Sequence, residues 1–503
     1  MKKVLSVGII GGGVSGAVTA LQMSDLGISN LLFEKKENLV SGPPFCHLHA
    51  GGNLYPEIPL EECKTLLKQS IEMARLFPDS IDKRPTFIAI PTNEKYSIEF
   101  IVNRLKKLKE YYEQLILEDL QNQILGPIDD YFKVYNEDDI TELAKTKTKT
   151  KPLTSDEWMR NAIEIVDTSK LKTPLILVQE YGWNFFRLAA QAQLALKESE
   201  YCTLKTDTTI KTIEDVSSDK KIDCNWLVRT EKETFKIDYL VNSAGYKNTE
   251  LEDVLNLHED KYVEFKASYI SKWKCPHGFI PEIIIHGERG TPHGMVQLTP
   301  YSENYYQIHG MTKDVTLFNG GLLKLDNKNS KVNFNSKIQK RLEIGWDKLD
   351  IDTRTKRAIN SIAQYIPSFK NATVGGPPLF GAQQIPGKNP DLRVGEVSFP
   401  YKNYARSEIV KASSSLTVAN QIISNLGWQN EQPNSTSNKL LESVEKTDLN
   451  AKAFDLAASR GFPKAMAKLL VNESVIYNTL DLRPFMTKHM NISRKLEYKK
   501  LNK

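Results

Sequence analysis

Three glycines near the N-terminus, Gly11, Gly13 and Gly16, stand at the spacing G-x-G-x-x-G, with Val14 and Ser15 inside the turn. An apolar run, V-L-S-V-G-I-I, precedes them, a helical pattern follows, and a second apolar run ends in Glu34. Such an arrangement binds a dinucleotide. Gly11 permits a tight turn, Gly13 lets backbone approach a pyrophosphate, and Gly16 lets helix and strand pack closely. The helix N-terminus offers free N–H groups and a partial positive charge to the phosphates. Glu34 lies 18 residues past Gly16, where an acidic side chain binds a ribose hydroxyl.

The elements that must hold these residues belong to a chain of 503 residues, long enough for one large core or two. A net charge of +5 is too small on this length to imply nucleic acid. Cys46, Cys63, Cys202, Cys224 and Cys275 form no C-x-x-C pair. Their odd count and scattered spacing suit a reducing cytoplasm better than a disulfide framework. Lys2 and Lys3 before an apolar run resemble a signal peptide, but the glycine fingerprint inside that run makes it the nucleotide strand and turn. No stretch reaches the roughly 18 apolar residues of a membrane helix.

Apolar spacing predicts helices over 60–77, 97–123, 183–197 and 335–365, with a last helix near 407–425. A short strand is expected over 86–90, and 145–151, a K-T repeat, reads as an exposed loop. Three strand-like runs end at Phe235 to Val241 and lead into Asn242-Ser243-Ala244-Gly245. Residues 262–330 alternate in strand fashion. Residues 429–439 read as a linker and 440–503 as a small helical appendage. Within it, 453–470 faintly suggests one ankyrin-like helix pair, too little for a repeat array.

A second nucleotide-domain signal, V-N-S-A-G at 241–245, follows the first by some 200 residues. The loop after Glu34 is long and carries G-P-P-F-C-H-L-H-A-G-G-N. This split layout resembles the D-amino-acid oxidase superfamily of FAD-dependent oxidoreductases, which includes the malate:quinone oxidoreductases. The likeness covers roughly residues 1–425. It rests on Gly11 to Gly16 with Glu34, on His49-Ala50-Gly51-Gly52, on the run from Trp183 to Gly245, and on G-A-Q-Q-I-P-G-K-N-P-D-L-R-V near 381–394.

The resemblance implies an α/β fold, α+β overall. A discontinuous Rossmann-like FAD-binding domain (1–53, 181–255, 371–428) would interleave with a cap segment (54–180) and an antiparallel substrate domain (256–370). Gly11, Gly13, Val14, Ser15 and Gly16 would hold the FAD pyrophosphate, Glu34 the ribose, and Lys35 would lie beside the adenine. Ile210 matches the position whose backbone meets adenine. Ala244 and Gly245 would let the chain pass close to the cofactor, and His49, Ala50 and Gly51 would run along the flavin ring. The sequence departs from the family where a glycine-rich loop precedes the last helix: here it reads F-P-Y-K-N-Y-A-R-S-E-I-V-K. A helix start near Ser407 would still set a positive end against a reduced flavin.

A flavin enzyme needs a base for the leaving proton and a positive field near the ring. His49 is the first choice at the ring, in contact with FAD or, by its H-A-G-G context, attached to it covalently. His309 and His293 are base candidates beside it. Arg289, Arg393 and Arg406 could clamp a substrate carboxylate, and Lys411 could supply positive charge; Arg84 is a weaker candidate. Cys46-His47-x-His49 lacks a fourth ligand at a usual spacing, so no metal site is expected. These features point to oxidation of a small carboxylate-bearing substrate by hydride transfer to FAD. A 2-hydroxy acid is favoured, because malate:quinone oxidoreductases carry N-A-G where this chain has His49-Ala50-Gly51. A quinone or another carrier would re-oxidise the flavin. The alternatives are an amino-acid or amine oxidase using oxygen, and a flavin-binding scaffold without turnover. Lys488, Arg494, Lys495, Lys499, Lys500 and Lys503 leave room for peripheral contact with an anionic membrane, against a merely solvated tail.

Overall fold

Strand Val7–Ile10 (β1) is buried along its whole length, as a short apolar run covered on both faces must be. Helix Val14–Asp25 (α1) returns the chain to Asn30–Phe33 (β2), which pairs with β1 in parallel. The computed structural model describes residues 5–257, 259–326, 331–428 and 436–471. Four later strands join the same sheet: Cys202–Lys205 (β3), Tyr239–Asn242 (β4), Val397–Tyr401 (β5) and Tyr404–Ser407 (β6). Among the described residues the six strands run in the order β5-β6-β4-β1-β2-β3. Only β5 and β6 pair antiparallel. The dinucleotide sheet is thus assembled from separated stretches of chain.

Among the described residues, a ten-stranded sheet is built around Lys261–Lys272. That strand pairs antiparallel with Tyr305–Gly310, Leu322–Leu325 and Leu379–Pro386. Thr86–Ala89 enters the same sheet in parallel with Glu282–Ile285, so the segments 54–180 and 256–370 share one sheet. Leu379–Pro386 also belongs here, rather than to the dinucleotide half.

Helices Leu60–Leu76, Ile98–Glu118 and Phe185–Glu198 form where the apolar spacing predicts them. The helical run over 335–365 breaks into Ser336–Glu343 and Lys348–Ala363 around Gly345, whose φ of +116° no helix accommodates. The helix expected near 407–425 starts at Ser415, not near Ser407: Ser407 closes the strand that pairs with β4, and Lys411 beyond it is extended.

Contacts divide the chain into a unit of Met1–Leu470 and a second of Val471–Lys503, of which only Val471 is described. The stretch to residue 470 is no appendage. Helix Lys446–Ser459 packs on Phe185–Glu198, and Leu449, Leu456 and Met466 are buried in the main core. The ankyrin-like pair resolves into this one helix and a short 3-10 turn, Lys464–Ala467. Residues 429–435 of the expected linker, and the basic residues from Lys488 to Lys503, lie outside the described residues.

Candidate active site

Each fingerprint glycine has a distinct surrounding. Gly11 sits at φ +102°, and a Cβ on it would strike the Ser243 carbonyl. A Cβ on Gly16 would strike the Gly11 carbonyl oxygen, so helix and turn touch only because that atom is missing. A Cβ on Gly13 would meet nothing within 4 Å, which leaves that side of its backbone approachable. Gly13 is also the N-cap of α1 and supplies no side-chain cap, and the first turn carries no acid. The N–H groups of Val14, Ser15 and Gly16 therefore have no intrahelical partner. The Ser15 hydroxyl is engaged with Ser407 Oγ at 2.7 Å, tying the turn to β6.

Glu34 follows β2 and is buried. Its carboxylate accepts from the Gly12 N–H at 2.8 Å and the Lys36 N–H at 2.9 Å, so it also holds the turn in shape. Lys35 is exposed beside it. Thr208 N–H donates to the Glu34 carbonyl at 2.9 Å, which brings Ile210 to this end of the sheet, half-buried against Ile213 and its neighbours. Ala244 and Gly245 follow β4, and Gly245 at φ +62° opens a short turn. All these residues gather at the C-terminal edge of the parallel strands, where open α/β sheets bind ligands.

The H-A-G-G loop is pinned against Gly182–Trp183: Leu48 N–H donates to the Tyr181 carbonyl, and Trp183 N–H to that of Cys46, both at 2.9 Å. Ala50 is buried, and Gly51 at φ +91° lies so close to the Cys63 carbonyl that no side chain would fit. From this loop a chain of polar side chains crosses into the second sheet. Glu282 lies 3.0 Å from His47 Nδ1, His47 Nε2 lies 3.2 Å from His49 Nδ1, and His49 Nε2 lies 3.1 Å from Lys411 Nζ. Arg84 holds the other Glu282 oxygen at 2.5 Å. Burial disfavours the Glu282 carboxylate, but His47 and Arg84 outweigh it and hold its pKa down to about 2. Burial likewise opposes charge on His47, and Glu282 with Cys46 overcomes it, lifting the ring to about 10. His49 is pushed well below the usual imidazole range by burial and by the charges of Lys411 and His47. Lys411 is pushed well below the usual amine range by burial, then by Arg393 and Lys266.

Cys46 Sγ, His47 Nδ1 and a Glu282 oxygen lie within 4.8 Å of one another. The Gln297 amide nitrogen lies 3.0 Å from His47 Nδ1, 3.4 Å from Cys46 Sγ and against a Glu282 oxygen.

Around Lys411 the charges are mostly positive. Lys266 pairs with Glu264 at 2.7 Å, and Arg289 with the same carboxylate. Arg393 is buried, and its guanidinium meets the Leu392 carbonyl at 3.0 Å, with Asp391 at 3.5 Å. The hydroxyl of Tyr55, Nε of Arg289 and Nδ1 of His309 are buried without a hydrogen-bond partner. Tyr55 feels the charges of Arg289, Arg393 and Glu264, and His309 those of Lys266, His47 and Lys411. Three orphaned polar atoms around one cationic cluster mark a place for a polar ligand.

His49, His309, Arg289, Arg393 and Lys411 thus come together. Arg406 does not join them. It stands in β6, fully buried, with Glu252 at 2.9 Å, Glu259 at 2.6 Å and Glu408 at 3.4 Å, and its charge is spent inside the protein. His293 is exposed on a loop. Sequence reasoning missed Glu282, Gln297, Tyr55 and the pair Glu264 and Lys266. The last two stand two apart on one strand, which places them on one face, and that signal was available.

Solved structures share this architecture. Glycine oxidase from Geobacillus kaustophilus matches with a TM-score of 0.53 at 12% identity, over 86% of this chain and 98% of that one. L-amino acid deaminase from Proteus vulgaris gives 0.56 at 13%, over 87% and 97%. L-α-glycerophosphate oxidase from Mycoplasma pneumoniae, solved with FAD bound, gives 0.52 at 15%, over 84% and 95%. The chain has their fold. No family model matches it, and no curated protein does. Among the described residues, no helix is long and apolar enough to cross a membrane.

Proposed function

We propose that the chain is an FAD-dependent oxidoreductase acting on a small acid with a CH–OH or CH–NH group beside its carboxylate. The observation that carries this reading is the pairing of two features. One is a glycine turn whose N–H groups and open Gly13 backbone fit a pyrophosphate. The other is a cationic, partly unsatisfied cluster against the H-A-G-G loop.

FAD would be held by the backbone of Gly11 to Gly16, by Glu34, and by the segments at Ile210 and Ala244-Gly245. When bound, it supplies the hydride acceptor. The chain's own residues do the rest. Arg393 and Arg289 bind and orient the carboxylate, since a guanidinium matches its two oxygens. Tyr55 and His309 offer hydrogen bonds with no internal claim on them. Arg406 carries no part, because three carboxylates neutralise it.

The favoured substrate is a 2-hydroxy acid with a quinone-like carrier as acceptor. The named activities of glycine oxidase and the deaminase support a 2-amino acid with oxygen as the second reading. The test is anaerobic mixing of purified, FAD-loaded protein with panels of 2-hydroxy and 2-amino acids, followed by flavin absorbance. Bleaching by one panel assigns the class. Protein that takes up no FAD overturns the proposal. Acid precipitation then separates covalent from dissociable flavin, and His49→Ala tests whether His49 is the attachment point.

A further inference from the structure

The three contacts joining Glu282, His47, His49 and Lys411 measure 3.0, 3.2 and 3.1 Å, and each joins a nitrogen to the next polar atom. Imidazoles joined in this way pass protons without moving heavy atoms. Two arrangements of the same number of protons satisfy every link. In one, Lys411 is an ammonium donating to His49 Nε2, His49 Nδ1–H donates to His47 Nε2, and His47 Nδ1–H donates to Glu282. In the other, His47 is an imidazolium donating to Glu282 and to His49 Nδ1, and His49 Nε2–H donates to the lone pair of an uncharged Lys411 amine. Two protons shift between them, and one positive charge moves from Lys411 to His47.

The surroundings select the second arrangement. Lys411 faces the like charges of Arg393 and Lys266, with Cys46 and Glu264 favouring its charge. His47 lies against the Glu282 carboxylate, which Arg84, Thr299 and Gln297 also fix in place. A charge beside a carboxylate in a buried site is favoured, and a charge beside two cations is not. The pKa directions agree: His47 is raised, while His49 and Lys411 are lowered.

We propose that His47 and Glu282 are positioning residues which, through His49, keep Lys411 an uncharged amine, so that Lys411 is the proton acceptor of the site. In the step it performs, the Nζ lone pair turns from His49 Nε2–H to the substrate, and the substrate O–H or N–H proton moves to it. The bonding pair stays on the substrate oxygen or nitrogen, and Lys411 becomes an ammonium. A protonated Lys411 could not do this. This role for Lys411 as acceptor rests on the oxidoreductase reading; the placement of charge on His47 does not.

The first test is nitrogen-15 NMR of the histidine rings in the purified protein at neutral pH, with and without FAD. His47→Gln and His49→Gln assign the signals. The expected result is a doubly protonated His47 and a neutral His49 carrying its proton on Nε2. A neutral His47, or a His49 proton on Nδ1, overturns the proposal. This measurement on the unaltered protein decides even if variants fail to fold. The second test is Glu282→Gln, which removes the counter-charge. The pH limb for flavin reduction is expected to move up by at least one unit, a loss of tenfold or more at neutral pH that alkali restores. A merely structural role would lower the rate at every pH and leave the limb in place, which would overturn the assignment. The expected ring pattern in a protein that binds no flavin supports the charge on His47 and overturns the oxidoreductase reading and, with it, Lys411 as acceptor.

Discussion

Lys411 Nζ lies 3.1 Å from His49 Nε2, although 362 positions separate the two residues. A lysine so placed has a ring nitrogen as its nearest partner, where lysines in ion pairs have a carboxylate. Its neighbours Arg393 and Lys266 repel its charge, and burial removes the water that would otherwise stabilise it. The pair joins the H-A-G-G loop to the segment just before the last helix, the place where this chain lacks the glycines of the family it resembles. The bulky, basic replacement delivers an amine to the site.

Lys411→Met should therefore remove a reacting group and leave the cofactor site intact. The variant is expected to bind FAD normally and to reduce it ~10²–10⁴-fold more slowly at neutral pH, the usual worth of a positioned acid or base. Rapid-mixing absorbance gives the rate, and flavin content by absorbance gives the binding. Loss of flavin together with rate would show that the residue is structural.

Two glycines of the same turn should fail differently. Gly16→Ala puts a methyl group into the Gly11 carbonyl and is expected to lower the melting temperature of the apoprotein as well as FAD affinity. Gly13→Ala meets nothing within 4 Å, so the apoprotein should melt as the parent does while FAD affinity falls. Calorimetry without and with FAD separates the two. Equal FAD affinity in Gly13→Ala and parent would show that no phosphate approaches that backbone.

The buried His47 and Glu282 pair should shape stability against pH. The folded pKa of Glu282 is depressed to about 2, so its contribution is present above the ordinary carboxylate value and is lost as pH falls toward 2. The folded pKa of His47 is raised to about 10, so its contribution is complete below the ordinary imidazole value of about 6.5 and is lost as pH rises toward 10. In that alkaline window the native state holds a proton the unfolded chain has released, so stability falls with pH. Melting temperature should thus decline between about pH 6.5 and 10 in the parent, and less steeply in Glu282→Gln. Parallel slopes in the two proteins would refute the pairing.

What the sequence showed of this molecule followed from how local each determinant is. The glycine turn is a property of six consecutive residues, so its backbone geometry was legible, down to the close contacts of Gly11 and Gly16 and the open side of Gly13. The amphipathic helices were legible because burial repeats along the helix itself. Glu282 was not, because it opens the apolar run E-I-I-I and meets His47 only when Glu282–Ile285 is laid beside Thr86–Ala89. Arg406 failed as a substrate clamp for the same reason: Glu252 stands 154 positions earlier and reaches it only in the folded sheet. The helix expected near 407–425 was drawn too long because E-I-V-K has no local property that forbids helix; in the fold the Glu408 N–H bonds to the Glu396 carbonyl and Lys411 is extended.

Two of the buried arginines, Arg406 and Arg393, now make opposite predictions. Arg406→Met leaves Glu252 buried without its partner and should destabilise the fold by about 3–5 kcal/mol. In whatever protein folds, KM for the acid should be unchanged. Arg393→Met removes a guanidinium held mainly by backbone carbonyls, so the fold should lose much less. Its substrate should bind roughly 10–100-fold more weakly, as expected for a lost charged hydrogen bond of about 1.5–3 kcal/mol. Denaturant titration and steady-state kinetics on both variants give the comparison. A raised KM in Arg406→Met, with Arg393→Met unaffected, would return the carboxylate to the arginine that the sequence alone could not exclude.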